Sequence, residues 1–459
     1  MTPQGRATRI ELLSLTTPAM RAFHMTWIAF FLCFFAWFGI APLMSVVREE
    51  MSLTRDQVGW CIIGSVVLTV LARLLIGWLC DRIGPRLCYT GLLLLGSLPV
   101  MGIGLAERFE TFLLFRVLIG AIGASFVITQ YHTSVMFAPH CVGTANATAA
   151  GWGNLGGGVT QMVMPLLFAF LVGTCGLSDA QGWRMAMVIA GAVCALTGVA
   201  YYFFTQDTPE GNYRDLRAAG RMPPVRSSHG TFGEACRDRR VWALFVVYAA
   251  CFGMELTLDN VAALYFLDNF DELKRIDPRD ALRTAGLIAG LFGGMNIFAR
   301  ALGGIIADRL GARWGLAGRV KWLFLALFCE GLGLMFFSQA RTLAVAIPAL
   351  IVTGLFVKMS NGATYSVVPF INRRALGSVS GIVGAGGNAG AVAAGFLFKL
   401  NTISWPTALL LLGAIVTICS FSAFAVTFSA EAEEEARTGS VATGATPPMP
   451  VSLEPAAAS

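Results

Sequence analysis

Twelve predominantly apolar stretches of about 20 residues recur along the chain, the length an α-helix needs to cross a hydrocarbon core of about 30 Å. They begin near Met25, Val58, Arg86, Thr111, Gly143, Trp183, Val241, Arg283, Val320, Thr342, Leu376 and Pro406. In lipid, backbone polar groups must be satisfied within the segment, so each run predicts a helix. Several runs lack a clean gap, notably the fifth, which is rich in Gly and could be read as short. With 56% hydrophobic and 13% charged residues over the whole sequence, the chain reads as a polytopic, all-α integral membrane protein.

The polar segments set topology. A leader bearing Arg6, Arg9 and Arg21 precedes the first run, which has no small-residue cleavage pattern at its end and is therefore expected to be retained. An even number of spans puts both termini on one side. About twice as many Lys and Arg residues fall on that side as on the other, which predicts cytoplasmic termini in the cell's inner membrane. Four basic residues lie inside the apolar runs: Arg73, Arg116, Arg300 and Lys358.

The polar stretch 206–240, with Arg214, Arg217, Arg221, Arg226, Arg237, Arg239 and Arg240, divides the spans six and six. The expected organisation is a leader (1–24), a six-helix bundle (25–205), a cytoplasmic linker (206–240), a second six-helix bundle (241–428) and a disordered cytoplasmic tail (429–459). The basic linker reads as a solvated loop that sets orientation, not as a nucleic-acid site.

Eleven Cys without a CxxC pair, among them Cys33, Cys61, Cys194, Cys251 and Cys419 inside apolar runs, read as small core residues. Four scattered His predict no metal site, and only His132 is placed within a span. No nucleotide loop, metal cluster or catalytic triad pattern is present, so no enzyme and no cofactor is expected.

The two halves echo one another. "ARLLIGWLCDRIGPR" from Ala72 and "ARALGGIIADRLGAR" from Ala299 match at eight of fifteen positions, so Arg73 answers to Arg300, Asp81 to Asp308 and Arg86 to Arg313. "GTANATAAGWGNLGG" from Gly143 and "GSVSGIVGAGGNAGA" from Gly377 pair Gly153 with Gly387, Asn154 with Asn388 and Gly156 with Gly390. Arg73 and Arg300 each precede the acid of their motif by eight residues, about 12 Å of helix, which predicts matching depth near mid-membrane.

These features resemble the major facilitator superfamily: six plus six helices, a long central loop, the "DRIGPR" and "DRLGAR" turns after the second and eighth helices, and "RVLIGAIGAS" from Arg116 on the fourth. "GWGNLGGGVTQ" and "GIVGAGGNAGAV" are similar to the two signatures of the nitrate/nitrite porter family. "FFAWFGIAPLMSVVRE" and "MELTLDNVAALYF" look like that family's first and seventh helices. The resemblance covers about residues 25–428 and implies a secondary active transporter of nitrate, possible also for nitrite, acting as a monomer.

It also implies roles. In such a fold the second and eighth helices face one another across a central cavity. Arg73 and Arg300 would then bind a planar monovalent anion through their forked donors, although pairing with a buried acid such as Glu255 or Glu330 is the alternative for each. Asn154, Gly156, Gly157, Gly387, Asn388 and Gly390 would bring backbone and amide groups close to a small ligand, or else serve plain helix packing. Asp81, Arg82, Arg86, Asp308, Arg309 and Arg313 would gate the cytoplasmic face. Glu255, His132 and Glu330 are the proton-coupling candidates, with Glu255 alternatively a structural partner of Arg116, Arg300 or Lys358. The aromatic residues of the first helix are expected to pack rather than to recognise substrate. Proton symport is expected ahead of nitrate/nitrite exchange or transport of a small carboxylate.

Overall fold

A computed structural model describes residues 6–137, 142–221, 229–372, 376–430 and 433. Twelve of its helices are long and apolar enough to span a membrane. They are α1 (Pro18–Glu50), α2 (Arg55–Ile83), α3 (Pro85–Leu105), α4 (Phe109–Met136), α5 (Val142–Gly173) and α6 (Asp179–Phe204). After the linker come α7 (Arg239–Asn269), α8 (Pro278–Gly311), α9 (Arg313–Ser338), α10 (Leu343–Val367), α11 (Leu376–Lys399) and α12 (Trp405–Ala425). The described residues contain no strand beyond two isolated bridges.

Several boundaries differ from the apolar pattern for local reasons. Helix α1 starts at Pro18, where Thr17 accepts the Met20 N–H and Pro18 suits the first turn, so part of the expected leader is helical. The fifth span is not short. It runs 32 residues, because its glycines are held between neighbouring helices. The expected tail from 429 lies almost wholly outside the described residues.

Large apolar side chains such as Leu95, Leu105, Phe203 and Ile418 stand exposed on the outside, as a lipid solvent permits. Helix α2 packs on α11 and α5 on α8, the two most extensive pairings between the halves. Each half turns back between its second and third helices at a glycine of positive φ: Gly84 (89°) between α2 and α3, and Gly315 (69°) just inside α9. An L side chain is disfavoured there.

Acids secure both turns. Asp207 accepts the N–H groups of Arg86 (2.8 Å) and Tyr213 (2.9 Å), while Glu433 accepts those of Leu316 (2.7 Å) and Ala317 (3.0 Å). Burial pushes the Asp207 carboxyl up from its ordinary value, and the two N–H bonds pull it back.

Opposite the termini, the halves are tied by ion pairs. Arg48 grips Asp268 with two bonds (2.5 and 2.8 Å), Lys399 meets Asp56 (3.1 Å), and Arg279 lies 3.6 Å from Asp179. Arg55 donates across the same seam to the Ile403 carbonyl.

Candidate functional site

Helices α2, α4, α5, α7, α8, α10 and α11 contribute the polar centre. Arg73 on α2 is 8% exposed; its Nη1 donates to the Gly384 carbonyl of α11 at 3.1 Å, while its Nε and Nη2 are buried without a partner. Its guanidinium stands over Phe126 of α4 (5.5 Å) and Phe252 of α7 (5.8 Å). The Arg300 guanidinium stands over the same Phe252 ring, at 5.7 Å. The two arginines therefore do converge from matching helices upon one aromatic ring.

Their pairing is unequal. Arg300 Nη2 bonds Glu255 Oε2 at 2.8 Å, and Lys358 Nζ pairs with Glu255 Oε1 at 2.8 Å. Asn296 (3.1 Å) and Asn361 (2.7 Å) donate their amides to the same carboxylate. Glu255 is thus shared by two cations and two amides, and Arg116 is not among them. Arg116 instead donates to Asn260 Oδ1 (3.0 Å) and the Trp37 carbonyl (3.4 Å). Among the described residues no carboxylate reaches Arg73, whose charge meets a carbonyl dipole and two ring faces.

Asn154 and Asn388 are 1% and 0% exposed, and both atoms of each amide lack a partner among the described residues. Asn388 follows Gly384 by one helical turn and shares its face. A Cβ at Gly384 would lie 3.4 Å from the Tyr365 hydroxyl, which is also buried and accepts or donates no hydrogen bond among the described residues. Buried polar atoms are normally bonded. Arg73, Asn154, Asn388 and Tyr365 therefore leave an unusual number of buried polar atoms unpaired among the described residues.

The signature glycines divide. A Cβ at Gly153 would collide with the Phe30 ring, and one at Gly387 with Phe252; at Gly156 it would strike the Phe31 carbonyl, and at Gly390 the Ala249 carbonyl. This packing of α5 on α1 repeats as α11 on α7, and it also accounts for the buried aromatic residues of α1. Gly156, Gly387 and Gly390 therefore sit at helix contacts. Gly157 differs: its missing Cβ would face Asp259 Oδ2 at 3.3 Å and Phe38 at 3.5 Å. We expect Gly156→Ala and Gly390→Ala each to cost about 1–3 kcal/mol of stability, seen as a lower melting temperature in detergent. Gly294→Ala, where a Cβ meets open space, is the control and should melt like the parent.

The other candidates lie apart. His132 is held between the Tyr201 hydroxyl (2.5 Å) and the Gln206 carbonyl (2.8 Å), inside the first half. Glu330 accepts from Ser360 at 2.6 Å within the second half. Arg82 accepts a bond from Arg217 at its carbonyl, Arg86 stands over Tyr202 (4.3 Å), and Arg313 over Trp314 (5.6 Å), while Arg309 is exposed. The side chains of Asp81 and Asp308 lie outside the described residues.

Phe126, Phe252, Asn296 and Asn361 were not anticipated. Two signals existed: Phe252, Glu255 and Asp259 fall on one stripe of α7, and Lys358 and Asn361 on one face of α10.

The fold and this buried, basic centre define a membrane transporter. Residues 26–394 match the Major Facilitator Superfamily, and the chain belongs to it. A bacterial homolog of the human lysosomal transporter Spinster, inward-facing, superposes with a TM-score of 0.65 at 16% identity over 92% of this chain and 99% of its own. The inward-open xylose transporter XylE from E. coli gives 0.65 at 12% identity over 91% and 98%.

Within the superfamily the chain belongs to the nitrate/nitrite porter family. It is 39% identical to the "High affinity nitrate transporter 2.5" of Arabidopsis thaliana over 91% of this chain and 81% of that one. It is 37% identical to the "High-affinity nitrate transporter 2.3" of Oryza sativa subsp. japonica (92% and 80%). The "Nitrate/nitrite transporter NrtP" of Picosynechococcus is 31% identical (81% and 83%).

Proposed function

We propose that this chain imports nitrate, with nitrite as a second substrate, across the cell's inner membrane by alternating access and in symport with protons. Its termini face the cytoplasm, it acts as a monomer, and it needs no cofactor. The observation that carries this reading is Arg73. A fully charged fork with two unpartnered nitrogens, between two rings and beside the second arginine, suits a flat monovalent oxyanion. In this reading the unpartnered amides of Asn154 and Asn388 and the Tyr365 hydroxyl would supply neutral bonding groups to the anion.

Charge argues for the proton. Carrying nitrate inward against a negative interior costs about 2.3 kcal/mol per 100 mV. One proton per anion cancels that cost, and a second reverses it. The ion pairs at the far face close that side, so in this conformation the anion would exchange with the cytoplasm. Breaking Arg48–Asp268 and its companions would open the outer path, with the "DRIGPR" and "DRLGAR" turns (Asp81, Arg82, Arg86; Asp308, Arg309, Arg313) closing the inner one.

Uptake by proteoliposomes tests the whole reading. An acid-outside gradient should drive nitrate accumulation without internal nitrite, while formate and oxalate should compete poorly. Uptake indifferent to pH but dependent on preloaded nitrite would replace symport with exchange.

A further inference from the structure

We propose that Asp259 is the proton-binding site that couples to the anion, an assignment that rests on the symport reading above. Asp259 lies on α7 one turn beyond Glu255 and is 4% exposed. Among the described residues no N–H or O–H reaches its carboxylate within hydrogen-bond distance. Gln161 of α5 gives its Nε2 to the Asp259 backbone carbonyl at 2.6 Å, not to the side chain. The charges that face Asp259 are Lys358 from α10, Arg300 from α8 and Glu255 on its own helix. Both cations are already engaged by Glu255. From α5 it meets the backbone at Gly157, and Phe38 of α1 borders the same spot.

A buried carboxylate without a donor or a free cation is costly, and a proton removes the cost. Glu255 cannot accept one without releasing a cation or an amide. Glu330 and His132 are each bonded within one half, away from the arginine pair. Asp259 alone among the candidate acids looks across the seam between halves, onto the face of α5 that carries both Gly157 and, three residues earlier, the unpartnered Asn154 amide. An anion held at that amide and an ionised Asp259 repel one another. Proton and anion thus favour each other's binding, which is the linkage symport requires. The missing side chain at Gly157 is what leaves the carboxyl facing the anion.

The test uses the full chain purified and reconstituted as wild type, Asp259→Asn and Asp259→Glu. Two quantities are read: the ratio of gradient-driven nitrate uptake to nitrate/nitrate exchange, and protons taken up when nitrate is added in weakly buffered detergent. We expect Asp259→Asn to lower the ratio at least tenfold and to abolish the proton signal, with Asp259→Glu recovering part of both. Should the amide variant not survive purification, Gly157→Ala crowds the carboxyl with a methyl 3.3 Å from Oδ2 and should shift the pH midpoint of uptake. Wild-type proton uptake that persists in Asp259→Asn, or a midpoint unmoved in Gly157→Ala, overturns the assignment while leaving symport standing. A wild type that takes up no proton with nitrate overturns both.

Discussion

Arg73→Lys should lose nitrate uptake at least tenfold while the protein inserts, purifies and melts as the parent does. The loss follows from geometry: an ammonium cannot hold the Gly384 carbonyl and still present two further coplanar, unpartnered donors. One charge-assisted hydrogen bond is worth roughly 1.5–3 kcal/mol, about one to two powers of ten in affinity. Stability should hold because no carboxylate depends on Arg73, so removing the fork strands no counter-charge. Binding of nitrate, read by thermal shift, separates a lost site from a lost transport step. Near-normal uptake by Arg73→Lys would take this arginine out of the anion site and leave Arg300 to explain recognition alone.

The contrast between the two arginines is what the repeated motif could not convey. Identical spacing in "ARLLIGWLCDRIGPR" and "ARALGGIIADRLGAR" placed both guanidiniums at one depth, and they do meet over Phe252. The motif is silent on partners, because those come from helices far away in sequence. Glu255, Asn296, Asn361 and Lys358 belong to α7, α8 and α10, and only their packing brings four groups onto one carboxylate. The second half therefore neutralises its arginine, while among the described residues Arg73 meets only a carbonyl and two rings, which is why the proposed reading gives it to the anion.

Periodicity and length identified the spans well, since lipid imposes both. They left the length of α5 open, because Gly content lowers helix propensity while close contact with α1 and α8 overrides it. The Gly-rich signatures were legible as motifs, yet their division into packing glycines and the open Gly157 depends on what stands opposite each missing Cβ. Asn154 and Asn388 were legible too, because an amide within an apolar run demands a partner that the run itself lacks.

Glu255→Gln tests the structural side of this asymmetry and should have the larger effect on the protein as a whole. Substitution keeps the shape but turns one of two acceptor oxygens into a donor facing other donors, and it removes the only carboxylate paired with Arg300 and Lys358 among the described residues. Lys358 is fully buried, so it loses its ion pair where water cannot replace it. Breaking such a pair by deleting one partner costs about 3–5 kcal/mol. We expect lower yield, a lower melting temperature and impairment of gradient-driven uptake and exchange together. A second change separates charge balance from coupling: Glu255→Gln combined with Lys358→Met removes the stranded cation and should recover most of the melting temperature. Were Glu255→Gln to fold normally and lose gradient-driven uptake while exchange continued, the proton would belong on Glu255. Asp259 would then be the residue that merely tunes it.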